Sequence, residues 1–177
     1  MIPAPADAEV ASAIFGEHLT ALKASPQALE RGWNITRLGL LGAVVDLTAR
    51  RRTGEIDRYH VRLSGEFYDL WPPSALFVYH EQSERPRWVE APPGSRWLPT
   101  VTPVPSFAIH SPYQFPDGRQ GQLVCCSMTL EYYQSNHSPT AQQSWKQGRH
   151  TLAATLHRIH DALNSDSYQG PSGALDT

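Results

Sequence analysis

Near the amino terminus apolar residues recur at helical spacing. Between Asp7 and Lys23, the residues Val10, Ala11, Ile14, Phe15, Leu19 and Leu22 share one face and leave Glu17 and Lys23 to solvent, which predicts an amphipathic helix. Ser25 as a cap, Pro26 as the first helical residue and Gly32 as a stop predict one further short helix. The period then changes. The run from Trp33 through Ala49 and the run from Arg58 through Leu70 are rich in β-branched and aromatic residues, and Tyr59, Val61 and Leu63 alternate with His60, Arg62 and Ser64. They read as two strands joined by a solvated turn at Arg50-Arg51-Arg52. Trp71-Pro72-Pro73 halts the second strand, "SALFVYHE" from Ser74 gives a third, and "RWVE" from Arg87 gives a short fourth. The expectation is a four-stranded antiparallel meander. The rest of Arg85 to Pro105 is too proline-rich for a regular element and reads as an ordered loop.

Two more apolar runs follow, "SFAIH" from Ser106 and "QLVCC" ending in Cys125 and Cys126, on either side of the turn-rich "SPYQFPDGRQG". The clearest helix is the last. Leu152, Leu156, Ile159 and Leu163 fall within about 60° of one another on a helical wheel, a narrow stripe that must pack on something. From Ser165 to Thr177 the composition is that of a disordered tail. One domain over residues 1–164, with an N-terminal helix, an antiparallel meander, a long irregular segment and a C-terminal helix, makes this an α+β chain.

Charge and composition narrow the function. With a formal net charge of -2 and scattered basic residues, no field points to nucleic acid or to an anionic membrane surface. No apolar stretch approaches a membrane span, and the start has no basic segment followed by an apolar core, so a cytoplasmic location with reduced thiols is expected. The 2 cysteines are neighbours, and adjacent residues rarely reach disulfide geometry. Both thiols should be free.

The histidines of the last helix, His150, His157 and His160, project away from the leucine stripe, so they read as a solvated face rather than a metal site. Cys125-Cys126 is an equally poor zinc motif, because successive side chains diverge and no second cysteine pair exists. Three roles remain open for these thiols: a buried pair, one buried and one exposed, or a nucleophile at a strand end. In an extended segment neighbours face opposite sides, so if Val124 and Cys126 face the core Cys125 faces out, and the reverse if the register slips. The polar stretch "SNHSP" with His137 follows closely, as a loop beside a reacting thiol would. Trp71, Trp88, Trp97 and Trp145 read as core and loop anchors, and Tyr132 and Tyr133 pack beneath that loop or shield the thiol.

The segment "YHVRLSGEFYDLWPPSALFVY" resembles a signature of the ubiquitin-conjugating enzymes, in which a strand runs into a tyrosine and, soon after, Pro-Pro before the next strand; here these are Tyr68 and Pro72-Pro73. "AIHSPYQFPDGRQGQLVCCS" is similar to the family's His-Pro-Asn triplet, glycine and apolar-Cys strand end, and "NHSP" to the Trp-Ser-Pro that follows its active cysteine. The resemblance extends over most of the chain, to divergent bacterial relatives above all. It implies the UBC-like fold, with an active-site loop between the meander and the C-terminal helix. It also implies transthiolation: a cysteine takes a ubiquitin-like protein from an activating enzyme as a thioester and passes it to an amine, of a protein substrate for instance. No cofactor and no metal are implied. The spacing from Gly121 favours Cys125 as nucleophile over Cys126. The triplet's asparagine is absent after His110, so His110 or His137 is expected to donate to the oxyanion or to deprotonate the amine. The alternative expectation is a non-catalytic module of the same fold that binds a ubiquitin-like protein or a partner enzyme. A third is a cysteine hydrolase using Cys125 and His137.

Overall fold

A computed structural model describes residues 4–173. Helix α1 spans Ala8–Lys23 and starts where the Asp7 carboxylate accepts from the backbone N–H groups of Glu9 and Val10, both at 3.0 Å. It buries Ala11, Phe15, Leu19 and Leu22, whereas Val10, placed with them by spacing alone, is more than half exposed. Helix α2, Pro26–Glu30, is capped by Ser25 as the sequence predicts.

The expected four-stranded meander is corrected to five strands. What reads as one long strand from Trp33 is two: β1, Asn34–Leu38, and β2, Gly42–Arg50, paired antiparallel with Leu38 opposite Gly42. The reversal rests on two glycines. Gly39 takes a φ of 63°, and a Cβ on Gly42 would lie 2.6 Å from the Leu38 carbonyl oxygen. Arg37 closes the turn by donating from Nε to the Gly39 carbonyl at 2.9 Å. The leucines of "LGLLG" hid the turn from a reading by hydropathy. Strands β3, Ile56–Ser64, β4, Ser74–Glu81, and β5, Arg87–Glu90, complete one antiparallel sheet in the order β1-β2-β3-β4-β5.

One face of this sheet makes the main core. Ala43, Val45, Leu47, Tyr59, Val61, Leu63 and Phe77 pack against Phe15 and Leu19 of α1 and against Leu152, Leu156, Ile159 and Leu163 of the last helix, α4, Leu152–Leu163. Leu156 is fully enclosed. Truncation to alanine should therefore cost about 2–5 kcal/mol, read as a shift in the denaturant midpoint at unchanged slope.

The segments read as loop and tail also differ from expectation. Pro99–Val101 forms β6 and is joined by Tyr168–Pro171, which would be strand β9 after the β7 and β8 that follow here: β7 is Ala108–Gln114 and β8 is Gln120–Cys125. The chain after Leu163 is thus ordered as far as it is described, and the expected tail residues 174–177 lie outside the described residues. The cause is Tyr168, whose ring is buried and whose hydroxyl donates to Asp57 Oδ2 at 2.6 Å and meets the Tyr59 hydroxyl at 2.6 Å. Arg51, expected as a solvated turn residue, grips the same carboxylate through Nε at 2.6 Å and Nη2 at 2.7 Å. Tyr168→Phe removes the shared hydroxyl and should cost about 1–2 kcal/mol in chemical denaturation.

Strands β7 and β8 form a hairpin outside the five-stranded sheet. A buried side chain ties it on. Phe77 pairs with Val61 of β3 on one side, but on the other the β5 ladder stops at Val78, and there Gln122 of β8 joins Ala91 in bonding it: the Gln122 amide accepts from Phe77 N–H at 3.0 Å and donates to the carbonyls of Phe77 at 2.8 Å and Ala91 at 3.0 Å. After β8 comes the short helix α3, Leu130–Gln134, pinned to the head of β4 where the buried Glu131 carboxylate accepts from the Ser74 hydroxyl and from Ala75 N–H at 3.2 Å. These two anchors fix where β8 ends and where the following loop begins.

Candidate active site

Strand alternation decides the fate of the two cysteines. Val124 and Cys126 enter the main core, whereas Leu123 and Cys125 face the other way, into a small cluster with Ala108 and Phe115. Cys126 is 2% exposed and Cys125 9% exposed at the edge of a cleft. Burial pushes the Cys126 thiol up to about 12, which leaves it inert at neutral pH. Burial also raises Cys125, so its thiol needs a base to react near neutrality.

The chain turns sharply beyond Cys126, with Thr129 N–H donating to the Cys126 carbonyl at 3.1 Å and the Thr129 hydroxyl 2.6 Å from the Val124 carbonyl. Tyr133 OH donates to the Ser127 carbonyl at 3.1 Å and accepts from Trp145 N–H at 2.7 Å. Trp145 is itself held by an Nε1–H bond of 2.8 Å to the Asp69 carbonyl, in the loop that carries Tyr68 and Pro72-Pro73. Trp145 as a loop anchor, and Tyr133 beneath the loop, agree with the sequence reading.

Held this way, the loop brings His137 back over β8. Its Nε2 lies 3.6 Å from Cys125 Sγ, and its ring lies against Tyr132 at a centroid distance of 5.2 Å. The opposite nitrogen, Nδ1, is 2.8 Å from Ser135 Oγ. Ser135 has one hydroxyl proton, and it is directed to the Tyr132 carbonyl at 2.6 Å, which can only accept. Ser135 Oγ therefore accepts from His137 Nδ1–H. This leaves the Nε2 lone pair facing the thiol, the tautomer a base requires.

His110, paired across the hairpin with Leu123, lines the same cleft of about 230 Å³ together with Cys125, Tyr132, His137 and Arg158. Burial, then the neighbouring His137, lowers its pKa, so it stays neutral at neutral pH. Of the four residues singled out in the sequence, Cys125, His110 and His137 converge here and Cys126 does not.

Sequence reasoning gave no role to Ser135 or Arg158. Ser135 stood within the noticed "SNHSP", but only the turn back onto His137 reveals its role. Arg158 was legible as a residue off the leucine stripe of α4, without a hint that β7 and β8 lie beside it. The other histidines are less solvated than their place on the helix suggests: His157 and His160 pack on Trp33 at ring distances of 5.4 and 5.7 Å, and His157 Nδ1 is 2.7 Å from Arg31 Nη1. His150, expected on the last helix, lies before α4 begins and accepts from Lys146 N–H at 2.9 Å. Among the described residues no group of three or more His, Cys, Asp or Glu is disposed to hold a metal ion. No family model and no curated protein matches the chain.

Proposed function

We propose that the chain is a bacterial-type relative of the ubiquitin-conjugating enzymes that carries a ubiquitin-like protein on Cys125. The observation that carries this reading is the Ser135–His137–Cys125 relay at the end of β8, which pairs one cysteine with a preset base while the other is sealed in the core. The order of elements supports it: a first helix, an antiparallel sheet, a Tyr68 to Pro73 exit into β4, a cysteine closing a hairpin, and a helix behind it.

In the loading step His137 Nε2 takes the thiol proton and Cys125 Sγ attacks the carbonyl of a donor thioester. The C–S bond to the donor breaks, and the leaving thiolate recovers the proton. In the transfer step an amine attacks the Cys125 thioester, the C–N bond forms as the C–S bond breaks, and His137 moves the amine proton to the departing Cys125 sulfur. No cofactor takes part. The test uses a peptide thioester ending in Gly-Gly in place of the activating enzyme. Intact mass should show one adduct that excess thiol, by exchange, or hydroxylamine removes, and its absence while Cys125 still alkylates would overturn the reading.

A second reading, a cysteine hydrolase, is favoured by the same relay, because Ser135 supplies the orienting partner that the sequence did not. Water would then replace the amine, and Gly-Gly peptide esters would be cleaved catalytically with no acceptor present.

A further inference from the structure

The cleft over Cys125 is walled by the Pro103–Ala108 segment, by His110 and Tyr132, by Ser127, His137 and Gln143, and by Arg158 reaching in from α4. No aspartate or glutamate is among these described lining residues. Arg158 is exposed and forms no side-chain hydrogen bond or ion pair with another described residue, and its charge is close enough to favour the ionised form of the neighbouring Cys126 thiol. An unpaired guanidinium at the mouth of an acid-free cleft sets a positive local field. Such a field disfavours an ammonium and favours a carboxylate.

We infer that Arg158 is a specificity residue that selects acceptors in which a carboxylate lies beside the reacting amine, as in an acidic sequence around a lysine. The carboxylate meets the guanidinium at the rim, where fork geometry suits it. The same charge favours the free base of the incoming amine, the form that attacks a thioester. This rests on Cys125 as the acylated residue.

Two measurements on the full chain, in a Cys126→Ala background, separate this inference from the reading beneath it. The first needs no acyl transfer. Methanethiosulfonates bearing a sulfonate or a trimethylammonium group are compared as modifiers of Cys125. The sulfonate reagent should react faster, and Arg158→Glu should invert the ratio, with a change of about fivefold or more at low salt that fades as salt is added. Arg158→Ala should fall between. A ratio unmoved by either variant overturns the inference.

The second uses Cys125 loaded from the Gly-Gly peptide thioester and two blocked peptides, one lysine flanked by glutamates and one flanked by arginines. Faster aminolysis by the acidic peptide, reversed in Arg158→Glu, supports acceptor selection, and equal rates overturn it. If no thioester forms, the proposed transfer falls, and the reagent ratio alone decides whether Arg158 selects negative charge at this cleft.

Discussion

Replacing Cys125 by alanine is expected to abolish formation of the thiol-labile adduct, while the same replacement at Cys126 leaves it intact. The two residues differ by one position, yet their surroundings differ in kind. Cys126 Sγ is enclosed among core side chains with its thiol pushed up to about 12, and neither a thioester donor nor an alkylating agent can reach it in the folded state. Its loss removes a small buried side chain and should cost about 1 kcal/mol of stability. Cys125 loses nothing essential to the fold when truncated, because it packs in the smaller cluster at the cleft. Peptide mapping after brief iodoacetamide treatment of the native protein checks the assignment independently of any partner. Label should reside on Cys125, and label on Cys126 at a comparable rate would undo it.

Much of this contrast was legible in the sequence, and the reason is geometric. Period-two alternation in "QLVCC" requires that neighbouring cysteines part company, although it cannot say which faces the core. What chose the register is Gln122, whose amide bonds Phe77 and Ala91 and so turns Val124 and Cys126 inward with it. A buried glutamine standing in for a missing strand leaves no periodic trace. The helices were legible from their stripes and caps, because those signals are local. The five-strand count was not, because apolar Leu38, Leu40 and Leu41 mask a turn that depends on Gly39 and Gly42. Strand β9 was missed for a related reason: "SDSYQGPSG" is polar, and one buried tyrosine with hydroxyl partners on β3 orders it. At the site, the residue types announced themselves but their mutual geometry did not. His137 stands twelve residues from Cys125, and a contact at that separation depends on a turn whose shape comes from Glu131, Tyr133 and Trp145.

His137→Gln should slow acyl transfer to Cys125 by about 100-fold at pH 7, with the deficit shrinking as pH rises. The sign follows from the thiol. Burial lifts Cys125 above the ordinary cysteine value, so at neutral pH the folded protein holds it as S–H, and only a base within reach converts it during the reaction. His137 Nε2, 3.6 Å away with its lone pair facing the sulfur, is that base. In the glutamine variant the rate should climb about tenfold per pH unit, because it follows the thiolate fraction, and it should go on climbing past pH 8.5. The native protein should show a much shallower rise over the same range. Ser135→Ala separates orientation from proton transfer: the imidazole remains, but Nδ1–H loses its acceptor and the tautomer with Nε2–H becomes available, so a loss smaller than that of His137→Gln is expected, with a similar dependence on pH. Rate profiles for the two variants that run parallel to the native one would mean that His137 acts on Cys125 through packing against Tyr132 rather than as its base.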